Sequence, residues 1–256
     1  MQIINFPKEI ERYIRNKELK QETIGCSGSS VFSFTYKDKT LYLKMQKTNE
    51  EFTHEQDIVR WLESRLPVPK IIVQCQENGY DYLLMTKVRG EMSCSSEYLK
   101  NPEELVRLLA DGIKILQEVE ISDCKFECTI DNKLRRAKKL VDNKEVCMVD
   151  WEERTPFNSP EELYEYLALN KPKEELVFSH GDYCLPNIFL EGGEITGFID
   201  LGRAGIADKW QDIALAIRSI EFNLKSDKYA DLFFRCLGIE PDYEKIKYYI
   251  LLDELF

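Results

Sequence analysis

Residues 176–202, LVFSHGDYCLPNIFLEGGEITGFIDLG, constrain this chain more than any other stretch. An apolar run, Leu176 to Phe178, ends abruptly in Ser179-His180-Gly181-Asp182. Asn187 follows, then a second apolar run, Ile188 to Leu190. Gly192-Gly193 turns the chain, and Ile195 to Ile199 returns to Asp200-Leu201-Gly202. Run, Gly-Gly and run predict a β-hairpin. Asp182 and Asn187 stand at one mouth of it, and Asp200 ends its returning strand. A hairpin with polar turn residues would account for His-Gly-Asp alone. It does not account for Asn187 and Asp200 at these spacings, because carboxylates gathered at strand ends need a reason to converge.

Phosphoryl transfer supplies a reason. A carboxylate orients the attacking hydroxyl, and an amide oxygen with a second carboxylate holds Mg²⁺ against the phosphates. Asp182, Asn187 and Asp200 provide that set in order. Asp-x4-Asn, then Asp-x-Gly one hairpin later, is similar to the protein-kinase arrangement, with His-Gly-Asp in place of His-Arg-Asp.

At 256 residues the chain can bury one large core or two small ones. No apolar run approaches the ~20 residues of a membrane span, and MQIINFPKEI lacks the pattern of a signal peptide. A cytoplasmic location without membrane association is the expectation. The eight cysteines are scattered with no CxxC pair, and there are two histidines, which disfavours zinc and favours free thiols. A net charge of −11 disfavours a nucleic-acid partner and weakly favours a cationic ligand.

The first part of the chain reads as β-rich. Residues 7–19 predict a short amphipathic helix with proline in its first turn. Gly25 and Gly28, with Ser27, Ser29 and Ser30, predict a hairpin whose backbone N–H groups could cover phosphates. Lys44 lies mid-strand in Leu41-Tyr42-Leu43-Lys44-Met45, where a charge needs a partner. Glu55 can be that partner, inward on a helix over 50–66 capped by Asn49. A solvated edge lysine and a surface glutamate are the alternative. Residues 71–74 and 82–85 predict two strands around an Asn78-Gly79 turn. The division expected is an N-terminal lobe over 1–86, a linker over 87–91 and a C-terminal lobe over 92–256.

The rest reads as mostly helical. Helices are predicted over 102–119, 130–141, from Ser159-Pro160, over 209–222 with Asp208 as cap, over 229–237 and over 243–255. Residues 203–208 read as a loop feeding the 209–222 helix. Asp150, Glu152 and Glu153 form an acidic patch beside Trp151. Arg203 and Arg218 are candidates either for structural salt bridges or for ordering acidic site residues. Asp253, Glu254 and the Phe256 carboxylate put three negative charges within four residues, held by apolar Leu251, Leu252 and Leu255.

The chain resembles the aminoglycoside 3′-phosphotransferases, within the kinase-like small-molecule phosphotransferases, over essentially its whole length. LPVPK at 66–70, EELVFSHGD at 174–182, GFIDLGRAGIADKWQDIA at 197–214 and IKYYILLDELF at 246–256 carry the resemblance. It implies an α+β, two-lobed protein-kinase-like fold, ATP, two Mg²⁺ ions and phosphorylation of a 3′-hydroxyl on a cationic aminoglycoside, conferring resistance. By resemblance Asp182 is catalytic, and Asn187 and Asp200 are metal ligands. Lys44 and Glu55 serve the phosphates with Ser27, Tyr42 stacks on adenine, and the Thr86 and Val88 backbone bonds its edge. Glu152, Arg203, Arg218, Asp253, Glu254 and Phe256 line the aminoglycoside pocket. The chain departs from close relatives in Glu221-Phe222-Asn223, where they carry an acidic pair. Choline, a macrolide or another metabolite as acceptor, or an inactive nucleotide-binding module, are the rival readings. A monomer or weak homodimer is expected.

Overall fold

The computed structural model describes residues 6–22, 29–152 and 155–256. It divides into two compact units, 1–93 with 186–203, and 94–185 with 204–256. Residues 186–203 thus group with the N-terminal part, although the chain reaches them only after most of the second unit.

The first unit holds α1 (Lys8–Ile14), β1 (Lys20–Glu22), β2 (Ser30–Tyr36), β3 (Lys39–Lys47), α2 (Glu50–Leu62), β4 (Ile71–Glu77), β5 (Tyr80–Thr86) and β6 (Glu91–Met92). β1 to β5 form an antiparallel sheet in the order β1-β2-β3-β5-β4. The period of two along β5 builds its two faces. Tyr82 and Leu84 join Ile10, Phe34, Leu41, Leu43 and Val73 in one cluster. Leu83 and Met85 point the other way and pack on Phe52 of α2. Lys44 lies opposite Leu83 in the β3–β5 register and so shares this second face.

Two helices stop earlier than their apolar pattern suggests. α1 ends at Ile14, and Asn16 takes a left-handed conformation at φ 59° that the helix cannot continue through. α2 begins on its expected cap, with Asn49 accepting from the Phe52 N–H at 2.8 Å. It ends at Leu62, where Arg65 N–H bonds back to the Leu62 carbonyl and tightens the last turn.

The second unit runs through α3 (Ser96–Leu99), α4 (Pro102–Gln117), α5 (Ile130–Asn143), α6 (Pro160–Leu169) and β7 (Leu176–Ser179). The chain then crosses to the first unit for β8 (Ile188–Glu191) and β9 (Glu194–Phe198), the anticipated Gly192-Gly193 hairpin, to which β6 adds a third strand. It returns with β10 (Gly205–Asp208), α7 (Lys209–Leu224), α8 (Ala230–Leu237) and α9 (Tyr243–Asp253). α7 packs on α4, α8 and α9.

Residues 203–208 are a correction to the sequence reading. Gly205–Asp208 is a strand, not a loop, and pairs antiparallel with β7. Four residues, two of them glycine and alanine, have too little local signal to declare themselves, and their partner lies about 30 positions earlier. Among the described residues no helix is long and apolar enough to cross a membrane. No disulfide joins the seven cysteines described there.

Candidate active site

Each unit carries its own set of site residues. In the first unit Lys44 Nζ lies 2.7 Å from Glu55 Oε2 and 2.9 Å from Asp200 Oδ1. Lys44 and Glu55 are both buried. Burial works against the ammonium, but Glu55 and Asp200 outweigh it, and Lys44 is held above its ordinary pKa. It is therefore a permanent cation, fixed in place and partly open through Asp200, whose side chain is 41% exposed.

Asp200 adopts φ 58°, a left-handed backbone that aspartate tolerates better than most residues. The bend follows β9 directly and ends the strand there. Its neighbour Ile199 donates its N–H to the Asn187 carbonyl at 3.0 Å, so the segments bearing Asn187 and Asp200 lie side by side. A carboxylate and a carboxamide oxygen are hard donors that suit Mg²⁺, which takes one or two protein ligands and fills its octahedron with phosphate and water oxygens. Among the described residues no group of three or more His, Cys, Asp or Glu is placed to hold a metal by itself.

The same unit contains the residues expected to meet a purine. Tyr42 is partly buried on β3, and burial first, then Glu22 and Glu91, raises its phenol. Thr86 spends its N–H on the Lys70 carbonyl and its Oγ1 on the Lys70 N–H, each at 3.0 Å. The Val88 backbone has no hydrogen-bond partner among the described residues. Its side chain sits against Gly197, where an added Cβ would meet it at 2.7 Å, so glycine is what lets β9 pass under the segment after β5. Ser27 lies outside the described residues. Arg203 bonds Glu51 of α2 at 3.4 Å through Nε and belongs to this unit.

In the second unit Asp182 is partly buried on the loop after β7. Hydrogen bonds to the surrounding elements hold that loop. Asp212 Oδ1 accepts from Ser179 Oγ and from the Gly181 N–H, both at 2.9 Å, and its Oδ2 accepts from the His180 N–H at 2.6 Å. Gln211 donates to the Gly181 carbonyl at 2.9 Å. The Tyr183 hydroxyl donates to the Leu109 carbonyl at 2.8 Å. Leu185 N–H donates to Ser219 Oγ at 2.9 Å. Gly181 takes φ 84°, a conformation that a side chain would strain, and so turns the chain between His180 and Asp182. The Asp182 N–H donates to His180 Nδ1 at 3.3 Å.

The C-terminal acidic residues gather around α7. Arg218 on α7 pairs with Asp253 at the end of α9 and lies 4.0 Å from Glu152. Burial opposes its charge, and Asp253 and Glu152 more than restore it. Glu254 is buried. It accepts from the Glu152 N–H at 3.1 Å and from Thr155 Oγ1 at 3.3 Å, while its carbonyl accepts from Trp151 Nε1 at 2.7 Å. Burial raises its carboxyl above the ordinary range. The Phe256 ring lies under the Arg136 guanidinium at 5.5 Å. Glu152, Arg218, Asp253 and Glu254 are therefore one cluster, a carboxylate excess around one guanidinium.

Sequence reasoning missed Gln211, Asp212 and Ser219. A signal existed: Trp210 to Ile217 is buried without interruption, and a carboxylate inside such a run must be answering donors. Asp208 caps α7 as expected, and it also accepts from Lys245 and the Tyr249 hydroxyl at 2.9 Å each.

A buried lysine–glutamate pair, an oxygen-donor pair beside it, and an aspartate on a pinned loop define a phosphoryl-transfer enzyme of the kinase-like class. The chain belongs to the phosphotransferase enzyme family, whose model matches residues 24–249. It is 43% identical to an aminoglycoside 3′-phosphotransferase of Enterococcus faecalis over 97% of each chain. Among solved structures it is similar to an aminoglycoside 3′-phosphotransferase of type VIII, with a TM-score of 0.85 at 24% identity over 98% of this chain and all of that one. It is also similar to an aminoglycoside phosphotransferase from Streptomyces rimosus in complex with ADP and streptomycin. There the TM-score is 0.79 at 25% identity over 93% of this chain and 92% of that one. The fold is the α+β kinase-like one.

Proposed function

We infer that the chain transfers the γ-phosphoryl group of ATP to the 3′-hydroxyl of an aminoglycoside, and so confers resistance to it. The observation that carries this reading is the pairing of Lys44 with both Glu55 and Asp200, which makes a fixed buried cation beside a metal-competent carboxylate. Lys44 neutralises the phosphates. The Val88 N–H is the free donor for the purine edge, since Lys70 already occupies the Thr86 N–H, and the Tyr42 ring stacks on the base. Ser27 serves the phosphates by its match to the family's phosphate-loop serine. Two Mg²⁺ ions would supply further charge neutralisation at the phosphates, and Asn187 and Asp200 would hold them.

Asp182 accepts a hydrogen bond from the acceptor hydroxyl and aims it at phosphorus. The transition state is loose and needs little early deprotonation, so orientation matters more than basicity. Glu152, Asp253 and Glu254 take ammonium groups of the acceptor by charge-assisted hydrogen bonds. Arg218 ties Asp253 beside Glu152 and so orders the carboxylates of the cluster, and Arg203 steadies α2 through Glu51. The enzyme works in the cytoplasm, where ATP is, as a monomer or weak homodimer.

The test is a coupled ADP-release assay with Mg²⁺-ATP and two aminoglycosides that differ only in the 3′-hydroxyl. Turnover with the hydroxylated compound alone is expected. Equal turnover with both would move the reaction to another hydroxyl, and turnover with neither would overturn the acceptor class.

A further inference from the structure

We propose that the face of the Phe222 ring is an ammonium subsite for the acceptor, bordering the acidic cluster, and that Lys225 occupies it when no acceptor is bound. The proposal rests on the reading of the acceptor as a cationic aminoglycoside. A lone exposed apolar side chain needs no explanation. Phe222 is 69% exposed, and it is what surrounds the ring that gives it a use. Lys225 ends α7 in a left-handed conformation, φ 52°. Its Nζ lies 4.0 Å from the centre of the Phe222 ring. An ammonium within about 6 Å of such a face is attracted by the ring quadrupole. The ring therefore already accepts an ammonium, at a place open to solvent.

The place matters as much as the contact. Phe222 follows Arg218 by four residues on α7, so the two side chains leave the same side of the helix, about 6 Å apart along its axis. Arg218 pairs with Asp253 and lies 4.0 Å from Glu152. Glu254 accepts from the Glu152 N–H at 3.1 Å. The ring thus borders the carboxylates that take ammonium groups of the acceptor. An aminoglycoside carries several such groups on successive rings, and Arg218 already engages part of the carboxylate charge. The aromatic face holds one more ammonium without adding a further negative charge that Arg218 would have to answer. Binding is then an exchange. The acceptor ammonium replaces that of Lys225, and Lys225, itself exposed, swings into water.

The test measures kcat and KM for kanamycin A, an aminoglycoside with a free 3′-hydroxyl, and for Mg²⁺-ATP. The wild type is compared with Phe222→Ala, Phe222→Leu, Phe222→Trp and Lys225→Gln, and with Lys225→Gln combined with Phe222→Ala. Phe222→Ala and Phe222→Leu should each raise the kanamycin KM about threefold, the size of one exposed cation–π contact. Their kcat and Mg²⁺-ATP KM should stay at the wild-type values. Phe222→Trp, which offers the better ring face, should match the wild type or bind more tightly. Lys225→Gln should lower the kanamycin KM, and the gain should vanish in the Phe222→Ala background. A wild-type kanamycin KM in Phe222→Ala overturns the proposal. So does a wild-type KM in Phe222→Leu, which would make the contact merely apolar, or an equal rise in the Mg²⁺-ATP KM, which would make the effect structural. An equal gain from Lys225→Gln in both backgrounds overturns the exchange. A wild type that neither binds kanamycin A by calorimetry nor phosphorylates it overturns the acceptor reading and this proposal with it, whereas every other adverse outcome leaves that reading standing.

Discussion

Lys44 brings a positive charge inside a sheet, and two carboxylates keep it there. Removing one member of such a buried pair leaves the other uncompensated, which costs on the order of 3–5 kcal/mol. Lys44→Met should therefore lower the melting temperature sharply and abolish nucleotide binding. Lys44→Met with Glu55→Leu should regain much of the stability and none of the binding. Equal melting temperatures for the single and double variants would show that the pair is not the reason. Glu254 makes a different point. Burial raises its carboxyl, so the folded protein binds that proton more tightly than the unfolded chain does. Its contribution to stability is thus favourable at low pH and is lost as pH rises through the raised value. Capture of an ammonium needs the ionised form, so the acceptor KM should climb on acidification already above the usual carboxylate range. KM measured from about pH 8 down to about pH 5 should show this rise in the wild type and a shallower one in Glu254→Gln. Superimposable profiles would remove Glu254 from the acceptor site.

α7 is the element that sets the catalytic loop. Its first turn presents Gln211 and Asp212 to residues 179–181, and further along Ser219 takes Leu185. Asp212→Ala would remove the acceptor of the Ser179 hydroxyl and of the His180 N–H, at about 1–3 kcal/mol for each buried group, while the Gly181 N–H keeps Ser179 Oγ at 3.1 Å. The expected result is a loss of at least about 2 kcal/mol by denaturant unfolding together with a large fall in kcat. Wild-type kcat and stability in Asp212→Ala would deny the helix that role. The elements themselves were largely legible, because their signals are local. Asn78-Gly79 and Gly192-Gly193 adopt positive φ at both turn positions and close the two hairpins they announced. Asn49, Ser159 and Asp208 cap the helices they precede. Lys44 and Glu55 could be matched because a mid-strand charge demands a partner. What was not legible depends on distant pairing. β10 is too short to announce itself without β7, and nothing local ties 186–203 to the N-terminal unit. Arg203 and Arg218 look alike in sequence, but one pairs with Glu51 and the other with Asp253. Asp212 passed for a helix residue because its partners, the Ser179 hydroxyl and the His180 and Gly181 N–H groups, lie about 30 positions earlier.

The whole chain carries a net charge of −11, and the proposed reaction gives that charge a kinetic consequence. An acidic protein draws a polycation in from beyond contact distance, and salt screens that attraction over a Debye length of about 10 Å at 0.1 M. Acceptor kcat/KM should therefore fall several-fold as ionic strength is raised from about 0.02 to about 0.3 M. Mg²⁺-ATP is anionic, so its own kcat/KM should hold steady or improve over the same range. Two kinds of carboxylate can be told apart this way. Asp253 is paired with Arg218 inside the acidic cluster, so Asp253→Asn should weaken the acceptor at every salt concentration. Glu161 and Glu165 stand exposed on α6 and contribute only to the distant field. Glu161→Gln with Glu165→Gln should lower the acceptor rate at low salt and converge with the wild type at high salt, because rim charges act on encounter rather than on the bound state. An acceptor kcat/KM that ignores ionic strength would mean that the acidic balance serves solubility alone and that recognition rests entirely on the contacts within the cluster.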